Sequence, residues 1–88
     1  MSIYKSRLEK LKSKMHENSL NAFYTSNLTN IRYLSGFTGS SGFLLITDRG
    51  DYFFSDGRYT EQSKNEVLNQ EIYITANHFK DINDNNLL

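Results

Sequence analysis

Residues 43–55 carry the most restrictive pattern in the sequence. An unbroken apolar run, Phe43-Leu44-Leu45-Ile46-Thr47, meets the turn residues Asp48-Arg49-Gly50-Asp51 and then a second aromatic run, Tyr52-Phe53-Phe54-Ser55. Runs this short, rich in β-branched and aromatic residues and bounded by a Gly-containing turn, read as a β-hairpin. Three glycines at a spacing of three, Gly36, Gly39 and Gly42, stand just before it and mark a loop, because glycine lowers the cost of positive φ and of close backbone approach.

The flanks supply helices. Tyr4, Leu8, Leu11 and Met15 lie on one helical stripe and predict an amphipathic helix over 3–17, with Ser2 as N-cap. Leu20 to Thr25 reads as a strand, and Asn27 or Asn30 can cap a short helix carrying Ile31, Arg32, Tyr33 and Leu34. After the hairpin, Asp56-Gly57-Arg58 forms a sharp turn with Asp56 placed to cap a helix over 59–68, whose packed side holds Tyr59, Val67 and the stem of Lys64. Glu71 to Thr75 alternates as another strand, with Ile72 and Ile74 on one face. The order helix, strand, short helix, hairpin, helix, strand predicts an α/β layer, a mixed sheet with flanking helices. The polar, Asn/Asp-rich stretch 77–88 reads as a linker, with Leu87-Leu88 opening a helix whose body lies further on. The domain is therefore expected to span 1–76, in a chain cut from a longer protein.

Composition narrows the function. The chain has 88 residues, six Phe, six Tyr, no Cys and no Pro. A domain this small buries only about 60–65% of its unfolded surface, so partner surface is expected to matter. No disulfide or thiolate metal site is available. A net charge of zero argues against a nucleic-acid binder, although half of the Lys and Arg (Lys5, Arg7, Lys10, Lys12 and Lys14) fall in the first helix. The absence of a long apolar run argues against a membrane span, and the first fifteen residues lack the apolar core of a signal peptide, so a cytoplasmic protein is expected.

Most catalytic constellations are missing. Only two histidines occur, His16 and His78, far apart in sequence, which makes a metal site within the chain unexpected. Ser40 and Ser41 sit on a path from loop to strand, whereas a nucleophile elbow runs from strand to helix. The glycine loop leads into a strand with no lysine near, unlike the phosphate-cradling loops. Asp56-Gly57-Arg58-Tyr59 is more suggestive, because a rigid corner lets Arg58 point outward with a planar fork suited to a carboxylate; the plainer reading is a surface arginine paired with a neighbouring acid.

Asn30-Ile31-Arg32-Tyr33-Leu34-Ser35-Gly36-Phe37-Thr38-Gly39-Ser40-Ser41-Gly42 resembles the signature loop of creatinase/prolidase N-terminal domains, and Asp56-Gly57-Arg58-Tyr59-Thr60-Glu61-Gln62 resembles the second signature of that family. The two stand one hairpin apart, and the resemblance covers about residues 3–76. It implies an RNase H-like mixed sheet, here truncated, in front of a C-terminal "pita-bread" domain. That domain holds two divalent metals, usually manganese, on two Asp, one His and two Glu, and hydrolyses the bond before a proline at the second position of a peptide. None of those ligand motifs is present in this chain, so no catalytic residue, metal ligand or cofactor is expected within it. The resemblance further implies a homodimer in which this domain shapes substrate access. It places Arg58, and more weakly Arg32, toward substrate, with Phe37 and Tyr59 as packing supports and Gly36, Gly39, Gly42, Asp56 and Gly57 as motif geometry. Two other readings stand beside it: a catalytically silent peptide- or protein-interaction module of the same fold, and a creatinase-type amidinohydrolase domain.

Overall fold

The computed structural model describes residues 3–87. Its elements run α1 (Ile3–Glu17), β1 (Ala22–Thr25), α2 (Leu28–Ser35), β2 (Phe43–Thr47), β3 (Asp51–Ser55), a 3-10 turn (Gly57–Tyr59), α3 (Thr60–Glu66), β4 (Glu71–Ile74) and α4 (His78–Asp84). The four strands form one mixed sheet in the order β1-β2-β3-β4. The first two pairings are antiparallel, and β3 pairs with β4 in parallel. The predicted mixed sheet with flanking helices is the observed architecture.

The apolar run of β2 has a direct structural cause. Successive strand residues face opposite sides of a sheet, so a strand covered on both faces must be apolar at every position. Leu44 and Ile46, with Phe53 from β3, face a core built with Leu8 and Met15 of α1, Ile31 and Leu34 of α2, Phe37 and Val67. Leu45 and Phe54 face the opposite side, where Ile82 of α4 and Leu87 cover them. The hairpin register follows, Leu44 opposite Phe53 and Leu45 opposite Tyr52. The turn is closed by Thr47, whose hydroxyl accepts from the Arg49 and Gly50 amides at 3.1 and 3.0 Å and donates to the Gly50 carbonyl at 2.9 Å.

Several local expectations shift. Strand β1 starts at Ala22, and Leu20 is exposed beyond the end of α1. The helix expected over 59–68 is a 3-10 turn followed by a seven-residue α3 that ends at Glu66, so Val67 packs from outside it. Lys64 is exposed, and Ser63 takes the buried position on α3. On β4, Ile72 reaches the first core while Ile74, at the strand's end, remains exposed. The Ser2 cap lies outside the described residues, as does Leu88.

The largest correction concerns 77–88. This stretch, expected as a linker, carries α4. Asn77 caps it by accepting from the Lys80 amide, and Ile82 and Leu87 are buried on the sheet. Leu87 closes the end of α4 through its amide to the Ile82 carbonyl at 3.0 Å, so it finishes a helix where the sequence suggested the start of one. Two buried apolar positions in a polar stretch are too few to show helical periodicity, and the sheet supplies the rest of the driving force.

His78 anchors the start of α4. Its ring stacks on Phe43 with centroids 3.7 Å apart, and its Nε2 lies 2.8 Å from the Tyr24 hydroxyl. Burial pushes His78 below the ordinary value of 6.5, against the opposing pull of Asp81. A lowered folded-state value means the neutral ring is the one the fold prefers. Its contribution is therefore complete above about pH 6.5 and is lost as pH falls through the folded value. Protonation also removes Nε2 as an acceptor for Tyr24. Acidification is expected to expose the α4 amides to hydrogen exchange before the β2–β3 amides respond. Uniform protection of α4 down to about pH 5, with His78 titrating at the free-histidine value, would refute this.

Candidate functional site

The glycine loop and the corner after β3 are brought together by the hairpin. β2 and β3 run antiparallel, so the residues before one and after the other emerge at the same end of the sheet. The contacts between the two segments are many. The Ser55 hydroxyl donates to the Ser41 carbonyl at 2.8 Å, the Ser40 amide donates to the Tyr59 hydroxyl at 3.2 Å, and the Ser40 and Tyr59 hydroxyls bond to each other. Beneath them Phe37, fully buried, packs at 4.7 Å from Phe53 and meets the edge of the Tyr59 ring at 5.4 Å. Phe37 and Tyr59 thus pack against each other beneath the two segments.

The loop starts as the cap of α2. Asn27 caps the N-terminus by accepting from the Asn30 amide at 3.1 Å. Gly36 ends the helix in the left-handed region at φ 85°, its amide bonded to the Arg32 carbonyl at 2.9 Å. Gly39 is required for a different reason. A Cβ there would run into the Phe37 ring and stand 2.8 Å from the Tyr59 ring. Gly36 alone among the three loop glycines has positive φ. Gly39→Ala should therefore cost about 1–3 kcal/mol by forcing these rings apart, and Gly36→Ala about 1 kcal/mol or more by strain at positive φ. Chemical denaturation measures both; parent-like midpoints for both variants would show that neither position is set by geometry.

Glu66 and Gln62 tie the loop to α3, and Glu66 belongs to neither of the two signature segments. Its carboxylate accepts from the Thr38 amide and the Thr38 hydroxyl, both at 2.8 Å, and from Gln62 Nε2 at 3.2 Å. Burial raises its pKa, but the bonds from Thr38 and Gln62 and the nearby charge of Arg32 outweigh it, so the group sits below the usual carboxylate value. A separation of 28 residues between Thr38 and Glu66 leaves no local signal from which the pair could be read.

The two arginines fare differently. Arg58 is at the exposed corner, but its fork is already engaged: Nε donates to Asp56 Oδ1 at 3.0 Å and Nη2 to Oδ2 at 2.9 Å. Asp56 also accepts from the Arg58 amide at 3.0 Å, as the cap of the 3-10 turn. The arginine's side-chain bonds hold the Asp56 carboxyl below its ordinary value. The outward-free Arg58 suggested by the corner is thus a surface arginine paired with a neighbouring acid, because a carboxylate two residues back is within reach of its own fork. Gly57 has open space where a Cβ would stand. Arg32 instead borders an open groove of about 330 Å3, together with Leu28, Thr29, Thr38 and Ser40. The Tyr59 phenol is held below its usual value mainly by the Ser40 hydroxyl and amide. Among the described residues no group of three or more His, Cys, Asp or Glu gathers as a metal site, and no helix is long and apolar enough to cross a membrane.

Comparison with known proteins agrees with this layout. An uncharacterized peptidase of Bacillus subtilis is 39% identical over 66 residues, which is 75% of this chain and 19% of that protein. The aminopeptidase P structure from Streptococcus thermophilus superposes with a TM-score of 0.86 at 30% identity, covering 94% of this chain and 65% of that one. The N-terminal domain of the cytoplasmic peptidase PepQ from Mycobacterium tuberculosis gives a TM-score of 0.76 at 38% identity, covering 81% of this chain and 56% of that one. The chain thus spans about a fifth of its curated relative and about two thirds or less of the solved structures. The model of the creatinase/prolidase N-terminal domain matches residues 7–85, which takes in both loop segments and α4. On that match and that fold, the chain belongs to the creatinase/prolidase N-terminal domain family.

Proposed function

We propose that this domain is the non-catalytic N-terminal part of an Xaa-Pro aminopeptidase- or dipeptidase-type metallopeptidase, and that its loop-and-corner surface borders substrate access in a homodimer. The observation that carries the reading is the joining of the glycine loop to residues 14 to 28 positions further on in one bonded surface. Thr38, Ser40 and Ser41 bond to Glu66, Tyr59 and Ser55 respectively. A surface held this firmly, with Arg32 on an open groove and Arg58 locked at the adjacent corner, suits orientation of a peptide rather than chemistry upon it.

In this reading the two divalent ions are held by an adjoining pita-bread domain, because among the described residues no group of three or more His, Cys, Asp or Glu gathers, and no step runs through this chain. Residues 1–88 alone are expected to show no Xaa-Pro hydrolysis with added manganese or cobalt, while the full-length protein cleaves peptides with proline at the second position. Metal-dependent turnover that purifies with residues 1–88 and vanishes in point variants of them would overturn the non-catalytic assignment. Sedimentation of the full-length protein tests the dimer: a monomer across a wide concentration range would remove the partner subunit from the reading.

A further inference from the structure

We infer that the groove between α1 and α2 is a docking site for an acidic peptide segment with apolar anchors, at a place separate from the loop-and-corner surface. The groove has a volume of about 460 Å3. One wall is a row of cations on α1, Arg7, Lys10 and Lys14, and the floor is apolar, from Leu11, Phe23 and Leu34. Tyr33 of α2 stands on the other side and holds Arg7 in place. The Arg7 guanidinium lies 4.1 Å from the Tyr33 ring centroid, and Nη1 donates to the Tyr33 carbonyl at 2.8 Å.

Charge decides the chemistry of the occupant. Helix α1 carries five Lys or Arg against two Glu, while the rest of the chain carries five against eight Asp or Glu, so a chain of zero net charge concentrates its positive field on this helix. Lys12 is spent internally, 2.9 Å from Asp51, but Lys10 and Lys14 form no ion pair among the described residues. They lie one turn apart, so both point along the same wall and can meet successive carboxylates of an occupant. The apolar floor adds what a purely electrostatic contact lacks, a place for a Leu or Phe side chain between those carboxylates.

Position decides between a peptide and a membrane. A helix that lies on a bilayer presents its apolar face outward between flanking cations. Here Leu8 and Met15 of α1 are turned into the core, Leu11 is half-buried at the groove floor, and Leu34 is recessed at 6% exposure. Apolar groups at the bottom of a walled groove are open to an inserted side chain and closed to a flat lipid surface.

The test uses fluorescence anisotropy with the full chain and a fluorescein-labelled peptide of repeating Glu-Leu-Glu-Phe. Saturable binding is expected, weakening about tenfold from low to high salt. Lys10→Glu combined with Lys14→Glu should weaken it by at least about tenfold. Lys64→Glu, on the exposed face of α3, should leave it unchanged, and a Lys-Leu-Lys-Phe peptide should not bind. Absence of saturable binding would overturn the proposal. So would an equal loss in Lys64→Glu, which would reduce the effect to net charge. Anionic phosphatidylglycerol vesicles that bind the chain through Lys10 and Lys14, with the peptide failing to compete, would assign the row to a membrane instead. Because the probe carries no proline and the readout is binding, failure here leaves the peptidase reading untouched.

Discussion

Phe37→Ala is expected to unfold the domain or bring it to the edge of unfolding. The ring is buried to 1% exposure, lies against Phe53 and Tyr59, and is one of the atoms groups that fill the space above Gly39 and Gly42. Truncating a buried Phe to Ala costs about 3–5 kcal/mol through lost transfer energy and the cavity left behind. A domain of this size has a total stability of only about 4–13 kcal/mol. The loss should also reach the site, because the Tyr59 ring would lose the edge it rests on and the Ser40 contacts with it. Phe37→Leu keeps most of the volume and should cost about 1–1.5 kcal/mol. Urea denaturation of the two variants against the parent measures this. A Phe37→Ala midpoint within about 1 kcal/mol of the parent would mean that the glycine loop collapses into the space and is not held by the ring.

On the proposed function, Arg58→Ala in the full-length protein is expected to lower kcat/KM for Xaa-Pro peptides by roughly ten- to a hundredfold, since a charge-assisted contact to substrate would contribute about 1.5–3 kcal/mol. The pairing with Asp56 sharpens this expectation. Two of the arginine's nitrogens are committed to that carboxylate, so substrate meets either the remaining Nη1 or an arginine released from Asp56. The first case predicts a loss near the lower end and a further loss in Asp56→Asn, which frees the fork from its fixed direction. The second predicts that Asp56→Asn raises affinity for substrate. Arg58→Lys should recover only part of the activity, because the planar fork is gone. Arg32→Ala, on the open groove, should give a smaller loss seen mainly in KM. Dimer content and bound metal must be unchanged in each variant. Parent kcat/KM in Arg58→Ala would leave Arg58 as the cap partner of Asp56 and nothing more, and a loss accounted for by dimer dissociation would make its role structural.

The parts of this fold legible from the residues are those whose causes are local. The α1 stripe, the hairpin about Asp48–Asp51, the Asn27 cap and the turn at Asp56 each depend on side chains within a few positions of one another, so spacing and residue type suffice. The two loop segments were legible for the same reason, as was their placement one hairpin apart. What the tertiary structure decided depends on which distant surfaces meet. Thr38 finds Glu66 and Ser40 finds Tyr59 only after the hairpin has closed and α3 has docked. The polar stretch 77–88 becomes α4 because Leu45 and Phe54 present an apolar face on which Ile82 and Leu87 are buried, and Phe79, Ile82, Leu87 and Leu88 among eight polar residues do not repeat at a helical period over the whole stretch. The pairing of Arg58 with Asp56, two residues back, is local and is the plainer of the two readings of that corner; what the fold adds is that the same carboxylate is fixed as the cap of the 3-10 turn.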